Sequence, residues 1–347
     1  MSHSRALPRT VRFALYALAL GGGALYAHIS ASNQLGVVHA AANLHQPAPA
    51  PRSAAAADLL LDAPAPEPLD PGPSGLDRQT QFFGGRIIEG STPHRLIFFT
   101  FDDGPDIRTT PLLLDRLDAV GVKAAFFLTA SRIAERNGLE RTQAGVAREI
   151  ARRGHLIGNH TLDHRLLPAL DDSEVEEQVV GAEDLFQRVL GFRPVLLRPP
   201  GGGHSPRIDA LLAQRGYTTV LWNIGGGDFQ VTSAREVFDT FVRVLAWRER
   251  QSGDRGGIVL LHDTYSWSVD AFQLIWAELW NRNCRFLAQG EELYDIVPDL
   301  SFFFEARAGA GPDAVASPAR LSPELLAKRQ RALREEAKER CSAAGGF

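Results

Sequence analysis

Asp102 and Asp103 stand side by side at the end of an uncharged run, L-I-F-F-T-F from Leu96 to Phe101, and Gly104-Pro105 follows them at once. The run reads as a buried strand that delivers two carboxylates to a loop. Neighbours on an extended chain point opposite ways, so one carboxylate can bind a metal while the other moves a proton. Alone, Asp-Asp-Gly is an ordinary acidic turn; its chemical weight comes from residues further along. Gly158-Asn159-His160-Thr161-Leu162-Asp163-His164 carries two imidazoles four positions apart, which a helical turn would place on one face, able to grip one ion. Joined by an Asp from another strand end they form a His2Asp set. Three protein ligands with positions left for water are the pattern of catalytic rather than structural zinc.

Three further segments place chemical side chains at strand ends. In Leu197-Arg198-Pro199-Pro200-Gly201-Gly202-Gly203 the prolines fix the backbone, the glycines let a substrate approach their N–H groups, and the arginine can orient a carboxylate. No Gly-Lys-Ser/Thr follows, so this is not a phosphate loop. Trp222 to Phe229 contains Asp228, and Ile258-Val259-Leu260-Leu261-His262-Asp263 is an apolar strand ending in a histidine.

The elements that must position these residues alternate. Strand-like segments are Leu96–Phe101, Ala124–Leu128, His155–Gly158, Val195–Arg198, Thr218–Trp222, Ile258–His262 and Arg285–Ala288; helix-like ones are Thr110–Val120, Gln143–Arg153, Ser173–Leu190, Pro206–Arg215, Ala234–Arg250 and Val269–Asn281. Repeated βα units imply parallel strands with right-handed crossovers. The expected fold is α/β, a distorted (β/α) barrel with about seven parallel strands, with an open doubly wound sheet as the competitor. Active sites of such barrels form just past the carboxyl ends of the strands, where all five segments fall.

The 347 residues are 44% hydrophobic with a net charge of -4, enough for one large core or two modest ones and with no bias toward nucleic acid. Cys284 and Cys341 have no metal-ligand spacing, and Cys341 lies in a polar tail, so no disulfide framework is expected. Arg5, Arg9 and Arg12 precede an uncharged run from Phe13 to Ile29, the pattern of an export signal or short membrane anchor. Its length is at the lower bound for a span, and small residues at Gly22/Ala24 or Ser30/Ser32 permit cleavage, so both fates stay open. Residues 33–80 are rich in Ala and Pro and read as an extended spacer. The expected organisation is residues 1–32 signal or anchor, 33–80 linker, 81–300 folded body and 301–347 a charged tail with a helix-prone stretch from Pro323 to Arg340.

In order and separation, T-F-D-D-G, H-T-L-D-H, R-P-P-G-G, the Trp222-to-Phe229 segment and L-L-H-D resemble the five motifs of the polysaccharide deacetylases, carbohydrate esterase family 4, also called the NodB homology domain. The resemblance spans about Arg95 to Val297. It implies that Asp103, His160 and His164 hold a divalent metal, usually Zn2+, with Co2+ or Mn2+ as alternatives. It implies Asp102 as general base oriented by Arg198, and His262 as general acid held by Asp228. Leu260 would line the pocket for the acetyl methyl, Pro200 and Phe229 the sugar groove, and the Gly201 N–H would serve the oxyanion. Two departures stand out: Gly201 replaces an aromatic residue, and Phe229 stands where tryptophan is common. The implied activity is removal of N-acetyl groups from an extracytoplasmic polysaccharide. Other acetyl or amide substrates and a catalytically silent carbohydrate-binding module are the competing readings.

With arginines ahead of the apolar run, the catalytic body is expected outside the cytoplasm. A reporter fused after Gln79 should be active only when exported; activity confined to the cytoplasm would refute the assignment.

Overall fold

The strand that ends in the two aspartates, β2 (Leu96–Asp102), is buried along its whole length. This explains why it reads as an unbroken apolar run: a parallel strand covered on both faces has no polar side to alternate with. The computed structural model describes Phe82, Gly84 and residues 86–134, 142–303 and 321–343. The sheet contains β1 (Ile87–Ile88), β2, β3 (Ala125–Leu128), β4 (Leu156–Asn159), β5 (Leu196–Leu197), β6 (Thr218–Val220), β7 (Ile224–Gly225), β8 (Gly257–His262) and β9 (Asp295–Ile296). Their order is β1-β6-β5-β4-β3-β2-β8-β7, with β9 on β2, and every described pairing is parallel.

Helices α1 (Thr110–Ala119), α2 (Gln143–Arg152), α3 (Asp172–Leu190), α4 (Pro206–Gln214), α5 (Ala234–Ser252) and α6 (Ser266–Gln289) link these strands. α3 begins with a capping box between Asp171 and Glu174 and ends at Gly191 in the left-handed conformation, so its orphan backbone groups are satisfied at both ends. Ile97, Phe99 and Phe101 of β2 join the core under α1, α2, α3, α5 and α6, whereas Leu96 and Phe98 join a second cluster with Phe127, Leu196, Val220 and Ile258. This two-residue alternation puts Asp102 on the same face as Phe98 and Thr100, inside the barrel.

Six of the seven expected strands are present. Arg285–Ala288 is instead the last turn of α6, whose 24 residues run on to Gly290 in the left-handed conformation. The additional strands β1, β7 and β9 have two residues each, too short to show a period of two. Among the described residues no helix is long and apolar enough to cross a membrane; the apolar run Phe13–Ile29 and the Ala/Pro-rich segment lie outside them.

The cysteine expectation is overturned: Cys284 of α6 and Cys341 are disulfide-bonded, with Cα atoms 5.7 Å apart. Cys341 belongs to α7 (Pro323–Ala343), which lays Leu333, Ala337 and Cys341 against Trp280, Phe286, Leu287 and Leu293. Arg329 of α7 clamps Asp295 of β9 with two bonds of 2.6 and 2.7 Å. No sequence spacing signals this bridge, because it depends on α7 docking 57 residues away from Cys284.

A crosslink closing a loop of that size stabilises by about 2–4 kcal/mol, chiefly through the unfolded chain. Reduction, or Cys341→Ser, should therefore lower the melting temperature while leaving native circular dichroism unchanged. An unaltered melting temperature would mean that packing alone secures α7.

Candidate metal and acid–base site

Three non-glycine residues among those described have positive φ: Asp103 (71°), Thr161 (70°) and His164 (68°). All lie in the motifs singled out above. Such conformations cost about 1–3 kcal/mol each and persist where the surroundings over-determine them. For Asp103 the surroundings are Gly104 and Asp263. A Cβ on Gly104 would stand 2.2–2.6 Å from the Asp263 carboxylate, so only glycine fits there. Thr129 N–H also donates to the Gly104 carbonyl at 3.1 Å.

For the histidine loop, Thr161 N–H donates to Asn159 Oδ1 at 2.8 Å, and Asn159 Nδ2 donates to the Tyr217 hydroxyl at 2.9 Å. The expectation of a helical His-x-x-x-His turn is thus corrected. After β4 the chain forms an irregular loop, and its left-handed turns at Thr161 and His164, rather than a helical period, bring the imidazoles together, with ring centroids 5.0 Å apart.

Asp103 Oδ1 lies 3.3 Å from His160 Nε2 and 3.2 Å from His164 Nε2. These three residues can place ligand atoms within 4.8 Å of one another. Asp103 Oδ1 is buried and makes no hydrogen bond. Two ligand atoms about 2.1 Å from a common tetrahedral ion stand about 3.4 Å apart, so the spacing and the orphaned oxygen fit a divalent cation. His160 is set for the role: its Nδ1 faces the Arg198 carbonyl at 2.7 Å, which assigns the proton to Nδ1 and turns the Nε2 lone pair toward Asp103. Burial works against charge on Asp103, yet the close imidazoles of His160 and His164, and the His262 ring beyond them, hold its carboxyl far below the usual range.

Asp102 is 2% exposed, and because Asp103 turns into the left-handed conformation both carboxylates approach His160 Nε2 rather than pointing opposite ways. Asp102 Oδ1 accepts from Arg198 Nη1 at 2.7 Å, and its Oδ2 is 3.8 Å from His160 Nε2. The completely buried Arg198 is satisfied on every side: Nη1 also reaches Thr100 Oγ1 (2.7 Å), Nε the Val220 carbonyl (2.9 Å) and Nη2 the Leu221 carbonyl (3.1 Å), while the guanidinium lies 4.2 Å over the Phe127 ring.

His262 lies opposite Asp102 in the β2–β8 register. Its Nδ1 is 2.8 Å from Asp228 Oδ1, its N–H donates to Asp228 Oδ2 at 2.7 Å, and its Nε2 is 3.9 Å from Asp103 Oδ2. Burial lowers the imidazole pKa, but the Asp228 hydrogen bond and the charges of Asp228, Asp102 and Asp103 outweigh it and push the pKa up to about 9. Ser268 and Trp267 hold Asp228 in turn, the indole N–H donating to its main-chain oxygen at 2.8 Å.

The structure therefore gathers Asp102, Asp103, His160, His164, Arg198, Asp228 and His262. Leu260, 7% exposed, shares the inner face of β8 with His262; Pro200 is buried and Gly201 turns at φ 61°; Phe229 is 60% exposed with its ring 6.0 Å from His262. Sequence reasoning missed the supporting residues Thr100, Asn159, Asp263 and Ser268. Asp263 is fully enclosed, accepts from Thr110, and has its pKa raised to about 7 by burial. Its place directly after His262 was the available signal.

Residues 89–220 match the polysaccharide deacetylase family. Two peptidoglycan-N-acetylglucosamine deacetylases of Bacillus cereus are each 31% identical to the chain. One aligns over 202 residues, 57% of this chain and 88% of that protein; the other aligns over 195, 55% of this chain and 66% of that protein, just under two thirds of its length. In fold the chain resembles a carbohydrate esterase family 4 pseudoenzyme from Bacillus anthracis, with a TM-score of 0.50 at 18% identity, covering 57% of this chain and 66% of that one. The chain belongs to the polysaccharide deacetylase family. Its α/β fold is a distorted parallel barrel that stays open: among the described residues β1 and β7, the two ends of the strand order, do not pair.

Removing one partner of a buried ion pair strands the other, at a cost of about 3–5 kcal/mol. Arg198→Met should show this loss in urea unfolding, and adding Asp102→Asn to it should recover part. Equal stability of Arg198→Met and wild type would show that the pair is not enclosed as described.

Proposed function

We propose that this chain is a metal-dependent hydrolase that removes N-acetyl groups from an extracytoplasmic polysaccharide, cleaving a carbon–nitrogen bond that is not a peptide bond. The observation that carries this reading is the register of β2 and β8. It sets Asp102 across from His262 beside the Asp103–His160–His164 cluster, each backed by a partner of opposite charge. A silent binding module would need neither the base nor the acid, and both are present with their orienting partners.

Asp103, His160 and His164 would hold a divalent ion, most simply Zn2+, which when bound would supply Lewis-acid polarisation of the acetyl carbonyl and acidify water near neutral pH. Asp102 takes the proton from the attacking water, its carboxylate fixed by Arg198 so that Oδ2 faces the cluster. The Gly201 N–H donates to the developing oxyanion, a contact class whose loss costs about 3–4 kcal/mol. Leu260 packs on the acetyl methyl, and Pro200 and Phe229 border the sugar. His262 then gives its proton to the departing nitrogen; an acid with a raised pKa is still protonated when that step arrives. The products are acetate and an amino sugar.

Peptidoglycan, the polymer named for the two Bacillus cereus proteins, is the first substrate to test. Residues 1–32 fit export or anchoring, 33–80 a spacer, 81–300 the catalytic body and 301–347 a tail whose helix α7 braces it. The Cys284–Cys341 bridge supports an oxidising location such as the periplasm or cell surface.

Acetate release across peptidoglycan, chitin-type oligomers and acetylated exopolysaccharides tests the reading directly. The purified chain should hold about one divalent ion. Asp102→Asn should retain that ion while activity falls about 100-fold or more, since no base remains. His160→Ala should weaken both ion binding and activity. If Asp102→Asn loses the ion and Asp103→Asn keeps it, the two carboxylates are assigned the wrong way round.

Activity should also fall on the alkaline side as His262 loses its proton. Asp228→Asn removes the main force that raises the His262 pKa, so the alkaline limb of kcat should move to lower pH. An unmoved limb would remove His262 as the acid.

A further inference from the structure

The mouth of the site has two unlike rims. In the strand order β4-β3-β2-β8, the ligand histidines follow β4 and His262 ends β8. On the β4 side stands Leu166, 55% exposed and so close to Gly201 that a Cβ there would lie 3.3 Å from its Cδ2. At Gly201 itself the neighbouring side chain is aliphatic. On the β8 side the rings crowd together. Phe229 stands edge-on to His262, and Tyr265 does the same at 5.8 Å between centroids. Tyr265 also lies flat on Trp267, 4.9 Å between centroids and 9° between planes. Since the Trp267 indole is tied to Asp228, the plane of Tyr265 is fixed by the same residue that holds His262. Burial and then the charges of Asp103 and Asp228 raise the phenol pKa, which accords with a ring near the cluster that keeps part of its surface in solvent.

None of the proton transfers above uses Tyr265. Its position has a consequence for the substrate all the same. His262 delivers its proton to a nitrogen that stays on the sugar, so the pyranose lies on the His262 side while the acetyl group lies toward Leu260. A pyranose presents flat faces of C–H groups, and a rigid aromatic plane covers such a face with little ordering cost. Resting on the reading of the site as a carbohydrate deacetylase, we propose that Tyr265 is a specificity-determining residue. It forms the stacking wall for the pyranose on the leaving-amine side, on the rim opposite the one where Gly201 leaves no side chain to stack.

The test compares two acetyl donors, a β-1,4-linked N-acetylglucosamine tetramer and vinyl acetate, which has no ring. Tyr265→Ala should raise KM for the tetramer roughly three- to tenfold with kcat little changed, the signature of lost uniform binding. Its kcat/KM for vinyl acetate and its alkaline pH limb should match wild type, and Tyr265→Phe should restore the tetramer KM. If Tyr265→Ala does not fold, Tyr265→Leu keeps the bulk without the flat face and is read the same way. An unchanged tetramer KM overturns the proposal. So does an equal loss on both donors or a shifted alkaline limb, either of which would make Tyr265 a support for His262. A wild-type chain that hydrolyses vinyl acetate but leaves the tetramer and the polysaccharide panel intact overturns the carbohydrate reading, and this proposal with it.

Discussion

The ion pair of Arg198 and Asp102, sealed inside the barrel, is the constraint on which the rest of the site depends. A fully enclosed guanidinium is expensive, and burial lowers its pKa, yet arginine stays charged in proteins. The barrel therefore has to surround it with acceptors: Thr100 and Asp102 from β2 and the carbonyls of Val220 and Leu221 just beyond Thr219. Meeting that demand ties β2 to the far strands and fixes which Asp102 oxygen is left over. The Arg198 carbonyl meanwhile orients His160. One residue thus sets the proposed base with its side chain and a proposed metal ligand with its backbone. Since a buried pair adds little net stability over apolar packing, its value here is geometric.

The metal-side residues show the same exchange of stability for position. Asp103, Thr161 and His164 occupy left-handed conformations that their residue types resist, Thr161 most of all because it is β-branched. What holds them is not one strong contact but several ordinary ones. The Asn159 side chain links Thr161 to Tyr217, Ala130 N–H and Ser131 N–H donate to the carbonyls of Thr161 and Leu162, and Gly104 sits against Asp263. The loop is held by hydrogen bonds to neighbours on β3, β4 and the turn after β3.

Much of this was legible in the sequence, for identifiable reasons. β2 and β8 are long, apolar and bounded by residues that end strands, so both their existence and the chemistry at their ends could be read. The parallel arrangement followed from the alternation of strand-like with helix-like segments. β1, β7 and β9 have two residues each and leave no periodic trace. Arg285–Ala288 was misread because R-F-L-A suits a strand locally, and only the continuing packing of α6 decides otherwise. His160 and His164 were rightly paired on the wrong backbone: spacing of four suggests a helix, and the left-handed turns that replace it are set by contacts distant in sequence. The disulfide was invisible for the same reason, since a pairing across 57 residues depends on where α7 docks.

That docking bears on the half of the site beyond residue 220, where the family match ends. His262 and Asp228 depend on β8 and on the start of α6, where Trp267 and Ser268 brace Asp228. The other end of α6 is bonded through Cys284 to α7, and α7 grips β9 through Arg329 and Asp295. β9 pairs with Leu96 and Ile97 at the start of β2, while β8 pairs with β2 from Ile97 up to Asp102 opposite His262. The His262 end of β8 thus leads through α6 and the Cys284–Cys341 bridge to α7, and the Arg329–Asp295 ion pair returns the path through β9 to the start of β2. The register of acid with base is set directly by the six β2–β8 pairs from Ile97–Gly257 to Asp102–His262, and the α6–α7 bridge braces the helix that follows.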